Sequence, residues 1–389
     1  MLKRRDFVAS AAAFAALPTV ARADDKPAAL HTGAYPSGAV DGITDVPGVR
    51  VAHLTKISGN GALQPGIGPV RTGATAILEN ADPWTQRCAA AFYALNGNGE
   101  MTGTHWIEQS GFIEHPIVLT ATTNVPRVAD GVIDWMIAKH PQIGIRSDVP
   151  LPVVAECNDQ ALNDAQGRHV LASEIPPLLD ASRSGQFGRG NVGAGTGMHG
   201  FGFKGGIGSA SRKLPQDSGG YTVGVLLNLN DGLRPNLIMA GVPVGRAFAN
   251  ELRPVFPRRA AFAEHGRAAN GSIIVIVGTD APLGSRVLYA VAKRVTLGLG
   301  KTGWTSTVSS GDLFLAFSTT SVTPRDPGQR NIRLEEDEDR IDALYAATID
   351  ATESAVYDAL WNARTMVGRD GITFYGLPHD RVTSMLSQR

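Results

Sequence analysis

Only two of the 389 residues are cysteine, Cys88 and Cys157, so there is no disulfide framework and no cysteine-based zinc site. Charge of one sign is also lacking. The 36 Lys+Arg balance 36 Asp+Glu, which removes the basic footprint of a nucleic-acid binder. The spacings H-E-x-x-H, C-x-x-C and G-x-S-x-G do not occur, and the nine His are scattered singly. No spacing supports a metalloprotease, a dithiol redox site or a Ser-His-Asp elbow. Gly195-Thr196-Gly197-Met198-His199-Gly200 fits the letters of a dinucleotide loop but leads into more glycines instead of a helix. Gly300-Lys301-Thr302 lacks the first glycine of a P-loop, because Val295 stands in its place.

What the chain does have is apolar content, 43% hydrophobic residues, enough for one large or two ordinary domains, and 45 glycines, which point to tight turns. Residues 1–23 read as an address. Lys3, Arg4 and Arg5 form a basic head, Phe7 to Val20 an apolar stretch, and Ala21-Arg22-Ala23 a cleavage site. Arg4-Arg5-Asp6-Phe7 resembles a twin-arginine export signal, and the apolar stretch is short for a membrane span of about 20 residues. Removal of four basic residues and one acidic one leaves 32 against 35, a net charge of −3. The expectation is a periplasmic or exported protein with no membrane contact once the signal is gone.

Residues 24–40 read as an arm. Beyond them, short apolar runs predict strands at Gly48 to His53, Thr75 to Leu78, Pro116 to Thr120, Pro150 to Ala155, Tyr221 to Asn228, Ser272 to Val277 and Leu313 to Phe317. Helical spacing predicts a helix from Val128 to His140, a second capped by Asp280 and running to Leu299, and a third opened by the acidic run Glu335 to Asp339. The sum is an α+β chain with buried sheets covered by helices.

One serine stands apart. Asn270-Gly271-Ser272 directly precedes the buried run Ile273 to Val277. By itself this is a turn dipeptide before a strand. It gains meaning from other segments: Ile43 to Val51, Leu95 to Gly103, Val192 to Gly197 with Lys204 to Gly208, and Gly271 to Val275 with Thr279 to Leu283. In this order, from about Gly42 to the C-terminal region, they resemble the DmpA-type family of L-aminopeptidase/D-esterases and β-peptidyl aminopeptidases.

The resemblance implies a four-layer αββα sandwich of the N-terminal-nucleophile-hydrolase kind. It also implies self-cleavage between Gly271 and Ser272 into subunits 24–271 and 272–389, assembled as a homotetramer of processed pairs. Ser272 would be the nucleophile. Ser310 and Asp312, the latter an Asp where family members carry Glu, would hold it and its amine. Asn230 would stabilise the oxyanion, and Glu156, with Asn158 beside it, would receive the free amine of the substrate. The chemistry needs these residue types. Gly271 lacks a Cβ, so the bond could take up a strained conformation open to attack. The freed α-amine, with a reference pKa of roughly 7.7–8.0, can then take the proton of the Ser272 hydroxyl. No cofactor and no metal are implied. The expected substrates are short peptides, amides or esters, β- or D-amino acid types among them. The alternatives are an acyltransferase or amidase on the same scaffold and an inactive binding protein.

Overall fold

The computed structural model describes residues 26–257, 271–325 and 334–388. The signal segment and residues 258–270, just ahead of Gly271, lie outside the described residues.

β-branched runs build two sheets. The first has the order β1-β2-β5-β6, from β1 (Arg50–Ser58), β2 (Val70–Leu78), β5 (Ile117–Ala121) and β6 (Val153–Cys157). The second has the order β4-β3-β12-β11-β10-β9. Its strands are β3 (Gln86–Gly97), β4 (Phe112–Ile113), β9 (Gly206–Lys213), β10 (Thr222–Asn230), β11 (Ser272–Thr279) and β12 (Gly311–Pro324). A small hairpin, β7 (His199–Gly200) with β8 (Phe203–Lys204), precedes β9. The α-helices among the described residues are α1 (Thr104–Ser110), α2 (Val125–Lys139), α3 (Ile175–Asp180), α4 (Val244–Ala247), α5 (Ser285–Lys301), α6 (Glu338–Asn362) and α7 (His379–Ser387).

Side chains alternate across a strand, so each buried strand feeds two cores at once. Ile274 and Ile276 of β11 meet Ile77, Leu119, Val153 and Ala155 of the first sheet. Ile273, Val275 and Val277 point the other way, onto Leu288, Val291 and Val295 of α5 and Ala355 and Val356 of α6. On the far side Ala74, Ala76 and Val154 pack against Val128, Val132 and Leu178 of α2 and α3. Three apolar interlayers between helix, sheet, sheet and helix make the four-layer αββα sandwich.

Most expected elements occur with longer bounds. β12 runs well past Phe317, and β3 was not foreseen: its Ala-rich text lacks the β-branched signature although it pairs along β12. The acidic run does open a helix, with the Asp337 side chain accepting from the Arg340 N–H. Asp280 does not cap α5. Its carboxylate accepts from the Thr222 N–H of β10, and Gly284 is the cap residue. The arm is tied down from Lys26 onward: Leu30 is buried, Thr32 bonds Ser354 of α6, and Lys26 pairs with Asp41 and Asp358.

Candidate active site

Strand register brings the expected residues together. In the second sheet Asn230, the last residue of β10, stands opposite Ser272, the first of β11. On the other side β11 runs parallel to β12, and Ser272 is level with Gly311, next to Ser310 and Asp312. Ser272 is 4% exposed, and the Asn230 Nδ2 donates to its Oγ at 3.3 Å. The Gly311 N–H donates to the Gly271 carbonyl at 3.2 Å, polarising the bond between Gly271 and Ser272.

Asn230 is held from three sides. Its Oδ1 accepts from the His199 N–H at 3.1 Å, and its Nδ2 also donates to the Asn158 carbonyl at 2.9 Å. One amide hydrogen is thus committed to Asn158, which leaves the other for Ser272 or an oxyanion near it. The turn carrying His199 is locked by Lys204, whose Nζ donates to the carbonyls of Gly195, Met198 and Gly205. Burial pushes that ammonium down to about 7, and the three carbonyls offset part of the cost of burying it. Gly205 is required here by close approach: a Cβ would fall 2.7 Å from the Gly200 nitrogen.

Asp312 is saturated by hydroxyls. Ser310 Oγ donates to one oxygen at 2.5 Å and Ser306 Oγ to the other, while burial pushes the acid above the usual carboxylate range. The Ser306–Ser310 loop is fixed by Asn96 of β3, whose Nδ2 donates to the carbonyls of Thr307 and Ser310. Gly271 does not have the positive φ that would by itself demand glycine. Space demands it: a Cβ would lie 1.8 Å from Cγ of Asp231. Sequence reasoning explained this glycine by backbone strain and missed Asp231 altogether.

From the first sheet, Glu156 is buried near the end of β6, and its Oε1 accepts from the Glu100 N–H at 3.2 Å. Thr122 Oγ1 donates to its other oxygen, and burial pushes its pKa upward. A Cβ on Gly99 would be 3.2 Å from Glu156 Oε1 and 3.4 Å from Gly311 Cα, so this carboxyl borders the strand that flanks Ser272. Asn158 contributes its carbonyl to Asn230, while its side chain accepts from the Gln160 N–H. Cys157, also unforeseen, is buried with its thiol in reach of Ser272, and burial pushes the thiol pKa up. Among the described residues no three His, Cys, Asp or Glu side chains gather as a metal site.

The arrangement is a buried hydroxyl at a strand start, with an amide donor beside it and carboxyls on both sides. It suits acyl transfer from a substrate bearing an amine. The model of peptidase family S58 matches residues 41–374. The chain is similar to the β-peptidyl aminopeptidase BapA of Sphingosinicella microcystinivorans, 40% identical over 90% of this chain and 89% of that one. Its fold is similar to that of the PH0078 protein from Pyrococcus horikoshii OT3, with a TM-score of 0.84 at 39% identity, covering 92% of this chain and 96% of that one. It is also similar to the L-aminopeptidase D-Ala-esterase/amidase of Ochrobactrum anthropi, described as a serine aminopeptidase with a variant of the Ntn hydrolase fold. There the TM-score is 0.81 at 34% identity, with 92% and 97% covered.

Proposed function

The chain belongs to peptidase family S58 and is an aminopeptidase of the Ntn-hydrolase type, and on that premise we propose that it is made as a precursor and activates itself by cutting between Gly271 and Ser272. The observation that carries this reading is the junction itself. The Ser272 hydroxyl is within reach of an amide donor, and the preceding carbonyl is already hydrogen-bonded to Gly311.

In the precursor, Ser272 Oγ attacks the Gly271 carbonyl carbon and its proton passes to the Ser272 nitrogen. The C–N bond breaks, an ester forms, and water cleaves it to a Gly271 carboxylate and a free Ser272. In turnover, the α-amine of Ser272 takes the hydroxyl proton while Oγ attacks the scissile carbonyl of the substrate. The tetrahedral oxyanion accepts from Asn230 Nδ2, the intermediate collapses as its C–N bond breaks and the amine leaves with the proton, and water hydrolyses the acyl-enzyme ester to the free acid and Ser272. Glu156 receives the ammonium of the substrate, which restricts cleavage to chains with a free N-terminus.

The substrates are short peptides, amides or esters. Likeness to a β-peptidyl aminopeptidase over nearly the whole chain supports acceptance of β-aminoacyl substrates. Residues 1–23 are read as a twin-arginine signal that delivers the enzyme to the periplasm or beyond, where processed pairs form a homotetramer. Intact-mass measurement tests the reading at its root. Two masses, the smaller chain beginning Ser-Ile-Ile-Val-Ile, support it, and one uncut mass in an active preparation refutes it.

A further inference from the structure

Among the described residues, the carboxyl that crowds Gly271 is neither of the acids singled out in the sequence. Asp231 follows Asn230 at the end of β10, half-buried, with its Cγ 1.8 Å from where a Gly271 Cβ would stand. It lies flush against the α-carbon whose carbonyl is joined to the Ser272 nitrogen. Asp312 is differently placed. Its β12 position is level with Ile273, and both its oxygens are occupied by Ser306 and Ser310.

The hydrogen-bond inventory is unequal. The Ser310 hydroxyl lies within reach of Asp231 as well as Asp312, but it carries one hydrogen and serves one carboxyl at a time. While it donates to Asp312 it is not available to Asp231, which keeps the Gly232 N–H. Burial, and after it the charge of Asp312, push its pKa upward, against the Gly232 N–H and the Ser310 hydroxyl, which lower it. Cutting the chain changes this, because the freed ammonium of Ser272 supplies three donors and a positive charge at that spot.

We propose that Asp231 is a positioning residue that holds the α-amine of Ser272 after cleavage, sharing it with Asp312 through the Ser310 hydroxyl. The inference rests on the self-cleavage reading and goes beyond it by assigning the partner of the amine. Among the described residues, the titratable groups around the junction include Asp231 from the end of β10, Asp312 from β12, and Glu156 and Cys157 from β6. A carboxylate beside an amine favours its charged form, so Asp231 raises the pH at which the amine becomes a free base.

The test is kcat/KM against pH for a β-aminoacyl anilide, using wild-type protein, Asp231→Asn and Asp231→Glu, each checked by intact mass. Asp231→Asn is expected to process, to lose several-fold in rate, and to move the acid limb about one unit lower. Asp231→Glu keeps the charge and should keep the limb. Asp231→Ser removes the charge without bulk against Gly271 and guards against a crowded amide. If both neutral variants remain uncut, or are cut with the limb unmoved, the assignment falls. Failure of the wild-type chain to cut overturns the self-cleavage reading instead.

Discussion

Replacing Asn230 by alanine removes one group that would serve both proposed reactions. Its Nδ2 lies 3.3 Å from Ser272 Oγ, and both self-cleavage and turnover pass through an oxyanion formed at that oxygen's target. Loss of a positioned donor of this kind costs about 3–4 kcal/mol of barrier, or roughly 10²–10³-fold in rate. Stability falls too. The His199 N–H and the Asn158 carbonyl, both served by Asn230, lose their partners, at about 1–3 kcal/mol each. Asn230→Asp keeps the acceptor for His199 but offers a donor neither to Ser272 nor to the Asn158 carbonyl. The assay is single-turnover conversion of precursor by gel, anilide release by the cut fraction, and urea unfolding of both. Both variants should slow in both reactions by similar factors, and both should be destabilised. Cut Asn230→Ala that hydrolyses substrate within about tenfold of wild type would refute the oxyanion assignment.

Ser272→Ala should yield one folded, inactive chain by intact mass and circular dichroism, since a single oxygen is lost ahead of a buried strand. Glu156→Gln should raise KM for free-amine substrates about 10–100-fold with little change in kcat, matching the loss of a charge-assisted hydrogen bond. Because burial raises the pKa of Glu156, wild-type KM should also climb as pH falls through that raised value, while the glutamine variant stays flat in steady-state kinetics. Glu79 is fully buried, neither oxygen has a partner from another residue, and its pKa is pushed up to about 8 from 4.5. Such an acid contributes full stability below pH 4.5, and the contribution drains away as pH rises toward 8. Glu79→Gln should therefore raise the denaturation midpoint at pH 7.5 and leave it nearly unchanged at pH 4; equal effects at both would defeat the argument. Activity should survive chelation and dialysis, measured by anilide release, and restoration by added metal would overturn the serine chemistry.

The layers of the fold were legible wherever burial left a period in the text. β11 is apolar throughout because it lies between a sheet and two helices, and the acidic run before α6 is legible because a helix N-terminus favours negative charge. β3 was not legible, since alanine carries no strand signature and its place is decided by pairing with β12, more than two hundred residues away. In the site, Ser272, Asn230, Ser310, Asp312 and Glu156 could be named from motif resemblance, and register then brings the first four to one sheet edge. Asp231 and Cys157 escaped because their importance lies in contacts across strands, which no local spacing encodes. Asn158 was named for its side chain, whereas its carbonyl is what reaches Asn230.

The pairing of β10 with β11 runs from Val223 opposite Thr279 to Asn230 opposite Ser272, and it joins residues on either side of the proposed cut. In an intact chain those strands find each other within one molecule. With the bond after Gly271 broken, unfolding turns one molecule into two, and refolding becomes a bimolecular encounter between one partner holding the central strands β11 and β12 and another holding the strands on either side of them. Dilution would then oppose recovery, and aggregation of bare strand edges would compete with it. The working lifetime of a cut enzyme would therefore be a rate, governed by the barrier to opening the β10–β11 ladder and the β3–β12 ladder, which also joins the two sides of the cut, rather than by a reversible balance. The uncut Ser272→Ala chain, with the same contacts, should recover from heating where the active form does not.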